Sequence, residues 1–304
     1  MHNAVLLLPD FLLIICGFLI CRFTPLNRPV WDAVERLVYY LLFPVLLFNS
    51  IIRTPIDPAA MAHLAVCGLT IVGLGVALSY ALAWVPGVDA RDHASGAQVA
   101  FRFNSYVALA LSERVAGMPG VAAVAVLVAL SVPLTNVAAV WPLARHGGHG
   151  YMRELARNPL IISTVAGLIG NLVGLHFPDP MATTLQRIGL AALPLGLMTV
   201  GAGLRVGALR ESPRLAAAFL SIRHVLLPLA ALGLATLVSL SPAQRTVMVA
   251  FAAMPTASSC YVLAARLGGH AGFVAGLVTV STLLGMLSIP LALEALSAMH
   301  FPIP

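Results

Sequence analysis

The chain has 304 residues, 60% of them hydrophobic and 9% charged, with a formal charge of +6. A soluble domain carries about a quarter charged residues, so this composition excludes a soluble globular enzyme and describes a polytopic protein of the lipid bilayer. All seventeen basic residues are arginine, and their placement along the chain argues orientation rather than nucleic-acid binding.

Apolar runs near the ~20 residues that cross a bilayer recur from end to end. They predict ten spans, at about 4–22, 34–53, 61–85, 94–116, 119–144, 159–177, 184–206, 213–240, 245–267 and 272–298. The first lacks a basic leader and reads as a retained span rather than a cleaved signal peptide. It carries Asp10, a candidate proton carrier near its outer end. Connections after odd-numbered spans hold eleven arginines, Arg22, Arg28, Arg36, Arg91, Arg145, Arg153, Arg157, Arg205, Arg210, Arg214 and Arg266, against four after even-numbered spans. The positive-inside rule then puts the odd connections in the cytoplasm and both termini in the periplasm of a bacterial inner membrane. Cys16, Cys21, Cys67 and Cys260 all fall inside predicted spans without a CxxC spacing, and read as packing residues.

Sliding the chain against itself by about 150 residues superposes Pro44 on Pro194, and Arg114, Gly117 and Gly120 on Arg266, Gly269 and Gly272. The expected fold is therefore all-α, with ten transmembrane helices in two five-helix repeats, 1–157 and 158–304. Because five is odd, the second copy enters the membrane inverted. The fourth span of each copy is broken by polar residues: Arg102-Phe103-Asn104-Ser105 in span four, Pro255-Thr256-Ala257-Ser258-Ser259 in span nine. Pro255 removes a helical donor and clashes with the preceding turn. Broken helices survive in hydrocarbon only where protein, water or solute takes over the freed backbone bonds, and two breaks in matching places mark a binding site near the midplane. If both breaks cross, half-helix N-termini converge on one small volume that suits a carboxylate or phosphate.

Residues 36–50 (RLVYYLLFPVLLFNS) resemble the second-span signature of the auxin efflux carrier family, in its bacterial branch. Further similarity runs through 101–106 (FRFNSY), 133–137 (PLTNV), 158–162 (NPLII), 170–171 (GN), 194–197 (PLGL) and 254–257 (MPTA), in order and spacing. The resemblance implies the ten-span fold shared with bile-acid sodium symporters, with spans four and nine as crossover helices. It implies a scaffold from spans 1, 2, 6 and 7, a transport domain from spans 3–5 and 8–10, a homodimer joined through the scaffolds, and elevator-like movement of organic anions. Two departures bear on substrate. The proline that plant members carry in the first crossover is absent after Asn104-Ser105, and their long hydrophilic loop is reduced to about 145–157. An auxin substrate is not implied.

Asn104 and Ser105 can donate to a carboxylate or satisfy unwound backbone, and Thr256, Ser258 and Ser259 match them from the other break, with Pro255 shaping it. Arg102 lies inside span four, where an unpaired charge costs at least ~2.5 kcal/mol; it reads either as a counter-charge for an anion or as a snorkelling residue. Asn136, in span five beside the break, reads either as glue between helices or as a further lining residue. Arg223 and His224 sit about ten residues, roughly 15 Å, into span eight, as a proton relay, a second anion contact or a structural network. Asn49 and Asn171 read as glue between helices. No acidic residue stands at the span-nine break to ligate sodium, and no metal constellation, P-loop, cofactor motif or nucleophile with an ordered base is present. The sequence thus points to a secondary transporter of small organic anions, an efflux carrier rather than an enzyme. Proton- or sodium-coupled carboxylate uptake is the alternative in the same class, and a channel or membrane-embedded sensor the alternative in another.

Overall fold

The structure, a computed structural model, describes residues 2–53, 58–143, 159–204, 212–257 and 259–299. All regular structure among the described residues is helical: α1 (His2–Phe23), α2 (Arg28–Arg53), α3 (Pro58–Ala81), α4 (Ala90–Gly96), α5 (Gln98–Phe101), α6 (Ser105–Leu143), α7 (Pro159–Leu172), α8 (Asp179–Ala202), α9 (Pro213–Leu237), α10 (Pro242–Ala253), α11 (Ser259–Arg266) and α12 (Ala271–Ala298). Among the described residues, six stretches are long and apolar enough to cross a membrane: Arg28–Arg53, Met61–Trp84, Ala90–Leu143, Asp179–Ala202, Pro213–Leu237 and Ala271–Ala298. α1 and α7 add the shorter apolar segments Leu12–Phe23 and Ile162–Leu172. The expected boundary between repeats at 157/158, Ser258 and the Asp10 side chain lie outside the described residues.

Prolines account for the irregular helices. A proline rejects the carbonyl four residues before it. Pro44 follows the π-helical turn Val38–Leu42, and Pro228 follows a second one at Ile222–Leu226. In both, a widened turn relieves the clash. Pro194 does the same differently, since α8 breaks at Ala191, between Asp179–Leu190 and Ala192–Ala202. The two prolines superposed by the repeat thus both stand where a helix leaves regular geometry.

The predicted separation of spans four and five at residues 117–118 falls on Gly117, whose φ of 60° and ψ of −155° interrupt α6. A Cβ placed on Gly120 would lie 2.3 Å from the carbonyl oxygen of Ser112. In a straight helix, residues eight apart are ~12 Å apart along the axis, so the chain doubles back at Gly117. Only glycine takes this backbone without strain.

Two sets of helices pack among themselves. α1, α2, α7 and α8 form one, and its closest contact is α1 on α8, where a Cβ on Gly201 would lie 1.7 Å from the Ile14 carbonyl oxygen. Glycine lets the two backbones touch, which is how membrane helices gain packing where lipid offers no hydrophobic drive. Asn171 ties α7 to α2 by donating from Nδ2 to the Ile51 carbonyl at 2.9 Å, the glue role expected of it. The second set holds α3–α6 and α9–α12, with α10 buried between α6, α9 and α12.

α10 opens with a capping box: Ser241 Oγ accepts from the Gln244 amide at 3.2 Å, and Gln244 Oε1 accepts from the Ser241 amide at 3.0 Å. Removing such a cap costs about 1 kcal/mol. Ser241→Ala is expected to lower the melting temperature by about 2–4 °C in a thermal melt, with ligand affinity unchanged.

Candidate functional site

The two interruptions meet. After Phe101 the backbone is extended at Arg102 and helix resumes at Ser105; after Ala253 it is extended through Met254 to Ala257 and resumes at Ser259. The Asn104 amide donates to the Pro255 carbonyl at 2.9 Å, so each break supplies the partner that the other lacks. Phe103 packs on Phe251 behind this bond, with ring centroids 4.5 Å apart.

A cavity of about 440 Å³ opens on this junction. Its wall on one side is Arg102–Tyr106 with Val132, Thr135, Asn136, Ala257 and Ser259; on the other it is the first half of α2, including Arg28, Asp32, Glu35, Arg36, Tyr39 and Tyr40. The N-termini of α6 and α11 both border it, adding the positive ends of two helix dipoles. Tyr106 is held by stacking on Phe43, 4.8 Å between centroids.

Arg102 spans the junction. Nη1 donates to Gln98 Oε1 at 3.0 Å, and Nη2 donates to Asn136 Oδ1 at 3.1 Å and Ser259 Oγ at 3.2 Å. Every one of these acceptors is neutral, and no carboxylate among the described residues pairs with the guanidinium. Gln98 is itself fixed by donating to the carbonyls of Ser95 and Cys260. Across the cavity, by contrast, Arg28 is matched by Asp32 at 2.8 Å and Glu35 at 3.2 Å.

Asn104 is 3% exposed, and its Oδ1 accepts from the amides of Tyr106 at 3.0 Å and Val107 at 3.3 Å. This N-cap settles which end of the amide is oxygen. The other end, Nδ2, has no hydrogen-bond partner among the described residues. Leaving a buried donor unsatisfied costs about 1–3 kcal/mol, and the residue that carries this one stands on the cavity wall.

The expected site residues therefore divide. Arg102, Asn104, Ser105, Asn136 and Ser259 line one cavity. Thr256 does not: it is fully buried, its amide donates to Ser281 Oγ at 2.9 Å, and its hydroxyl lies 3.5 Å from Cys260 Sγ instead of facing the cavity. Pro255 is buried behind the wall, where Gly285 of α12 leaves room for its ring.

Arg223 and His224 also lie away from the cavity, bracing the second break. Arg223 donates from Nε to the Met254 carbonyl and from Nη2 to the Phe251 carbonyl. His224 Nδ1 is 2.9 Å from Ser288 Oγ, and Nε2 is 2.8 Å from Ser281 Oγ. Ser288 donates onward to the Ala253 carbonyl, while Ser281 already accepts from Thr256. Each proton is used once if the imidazole is neutral with its hydrogen on Nδ1. The six residues of α2 on the far wall, together with Tyr106, Thr135, Gln98, Ser281 and Ser288, are among the contributors that sequence reasoning missed; Gln98, Ser281 and Ser288, polar inside apolar runs, carried a signal.

A second, larger opening of about 800 Å³ is edged by Tyr80, Trp84, Trp141 and Arg91. Arg91 is bonded there to the carbonyls of Gly268 and Gly269, and the exposed tryptophans suit a membrane–water boundary.

Residues 144–293 match the family described as Membrane transport protein. Along nearly the whole chain, two proteins are similar. A protein of Rhizobium meliloti (strain 1021) named "Putative malonate transporter" is 24% identical over 296 residues, covering 93% of this chain and 92% of that one. A protein of Methanothermobacter thermautotrophicus named "Uncharacterized transporter" is 25% identical over 299 residues, covering 96% and 97%. Multi-pass helical architecture, a polar junction of two broken helices and these similarities agree on a membrane transporter, similar over residues 144–293 to the Membrane transport protein family and over nearly its whole length to the two transporters just described.

Proposed function

We propose that this protein is a secondary carrier of small organic anions, mono- or dicarboxylates, bound where Arg102 and Asn104 face the cavity. The observation that carries the reading is the pairing of a guanidinium whose partners are all neutral with a buried amide donor that has none. An incoming carboxylate would satisfy both, replacing water with charge-assisted hydrogen bonds. Ser105, Asn136 and Ser259 complete the polar wall, and the helix N-termini of α6 and α11 add positive potential. The name of the Rhizobium relative favours a dicarboxylate such as malonate as the first compound to try.

In this reading the chain crosses a bacterial inner membrane ten times, as inverted repeats 1–157 and 158–304, with both termini periplasmic. The crossing spans are α4, α5 and α6 up to Gly117 in the first repeat, and α10 with α11 in the second. The set α1, α2, α7 and α8 is the scaffold, through which two copies pair. The remaining helices form the transport domain, which carries the anion past the scaffold in an elevator movement. Support for that division comes from the two packing sets and from the cavity, whose walls belong to one set each. Outward movement of one negative charge at ~100 mV gains about 2.3 kcal/mol, enough to drive efflux without a second solute.

The test is thermal-shift binding of the purified protein to a panel of carboxylates, aromatic acids, amino acids and neutral analogues, followed by counterflow of the best binder in proteoliposomes. Small carboxylates are expected to stabilise, and unlabelled substrate on the far side to accelerate exchange. Stabilisation by neutral or cationic compounds alone overturns the anion site. Flux without trans-stimulation indicates a channel, and binding without flux a sensor.

A further inference from the structure

Arg223 is the largest fully buried side chain among the described residues, 1% exposed, and lies in the π-helical turn Ile222–Leu226 of α9. Its guanidinium is bonded to two main-chain carbonyls, those of Phe251 and Met254. Both belong to the C-terminal end of α10, where helix gives way to the extended break before Pro255. A helix C-terminus presents unpaired carbonyls and a partial negative charge. Carriers built on broken helices use that arrangement, half-helix C-termini and unwound carbonyls, to coordinate a coupling cation. Among the described residues no carboxylate pairs with Arg223; its charge is met by carbonyl dipoles alone, as a bound metal cation's would be.

We infer that Arg223 is a tethered cation, standing at the broken end of α10 in the place a dissociable sodium ion would otherwise take. The positive charge is then supplied from within the protein, one peptide unit from the Pro255 carbonyl that binds Asn104, and so directly behind the anion cavity. It attracts the anion on every cycle without being bound or released. This rests on the carrier reading above and deepens it: the anion moves with no cation dissociating from this position. His224, the neighbour that shares the same turn, holds the other face of the break through Ser281 and Ser288, while Arg223 takes the Met254 carbonyl and shares that of Phe251 with the Met254 amide.

The inference predicts that removing the guanidinium uncovers a cation site. Arg223→Ala and the neutral, longer Arg223→Gln are purified in detergent and melted by tryptophan fluorescence in choline, sodium or guanidinium chloride at constant ionic strength, with no anion substrate added. Wild type is expected to melt alike in sodium and choline. Both variants are expected to melt lower in choline and to regain about 5 °C or more, saturably, with sodium or millimolar guanidinium. Equal melting of the variants in all salts makes Arg223 a plain structural cap and overturns the inference, as does saturable stabilisation of the wild type by sodium. Should the alanine protein fail to fold, the glutamine protein decides by the same readings. Because no anion is present, failure here leaves the anion site standing, and failure of the anion panel leaves this result standing.

Discussion

Arg102→Gln is expected to weaken binding of the best carboxylate about 30-fold or more, measured by titration calorimetry on the purified protein. Truncating one partner of a desolvated, hydrogen-bonded charge pair costs about 2–5 kcal/mol, and each 1.4 kcal/mol is a factor of ten. The effect on the unliganded protein is smaller, because what Arg102 gives up there is bonding to the neutral oxygens of Gln98, Asn136 and Ser259. Of these, Gln98 is 1% exposed, and losing its donor costs about 1–3 kcal/mol. Arg102→Lys separates charge from shape. It keeps the positive charge but loses the planar fork that can hold a carboxylate while bridging two breaks, so its affinity should fall between the two. Wild-type affinity in Arg102→Gln would show that the guanidinium only snorkels or pins the junction.

Much of this was legible in the residues. A bilayer leaves few ways to hide a polar backbone, so Arg102-Phe103-Asn104-Ser105 and Pro255-Thr256 inside apolar runs could only be breaks, and both are. The gap between spans four and five fell at Gly117, where the structure shows the positive φ that turns the chain, and Pro44 and Pro194 stand at departures from regular helix because their rings forbid a carbonyl contact. What the sequence did not reveal is direction. Nothing in Pro255-Thr256 says that the Thr256 hydroxyl turns toward Cys260, or that Arg223, some thirty residues upstream, reaches the carbonyls of Phe251 and Met254 while His224 reaches the hydroxyls of Ser281 and Ser288. Those contacts depend on the packing of α9 and α12 around α10. The far wall was hidden for a related reason. Arg28, Asp32, Glu35 and Arg36 read as an ordinary charged connection, and only the approach of α2 to α6 makes them face Arg102.

The arrangement also explains why two arginines, one fully buried and one partly exposed, are tolerated in one set of helices. Arg223 stands behind the second break with its charge met by helix-end carbonyls, and Arg102 stands in front with its charge met by side-chain oxygens and by the cavity. The first is closed to solvent at 1% exposure and suits a permanent structural charge. The second keeps access to an aqueous space, and only it can exchange one partner for another. The proposed anion site therefore uses Arg102 and not the more deeply buried residue.

Asn104 separates capping from binding in a single side chain. Its Oδ1 caps α6, a role that aspartate fills equally well and that the helix dipole favours by about 0.3–1 kcal/mol. Asn104→Asp should therefore melt at or slightly above the wild type when no ligand is present. The same change replaces the idle Nδ2 donor with a second carboxylate oxygen, so the cavity loses a hydrogen bond to the anion and gains a like charge beside it. Together these amount to about 3–5 kcal/mol, and affinity for any carboxylate should fall more than about 100-fold. Asn104→Ala behaves oppositely in the apo protein: loss of the cap lowers stability by about 1 kcal/mol, while removal of the orphaned donor offsets part of that. Its affinity should fall about 10- to 100-fold, since a hydrogen bond to a charged acceptor contributes about 1.5–3 kcal/mol. The decisive comparison is thermal stability against affinity across the two variants. If Asn104→Asp binds carboxylates like the wild type, Nδ2 does not face the anion, and the substrate must sit elsewhere along the cavity wall.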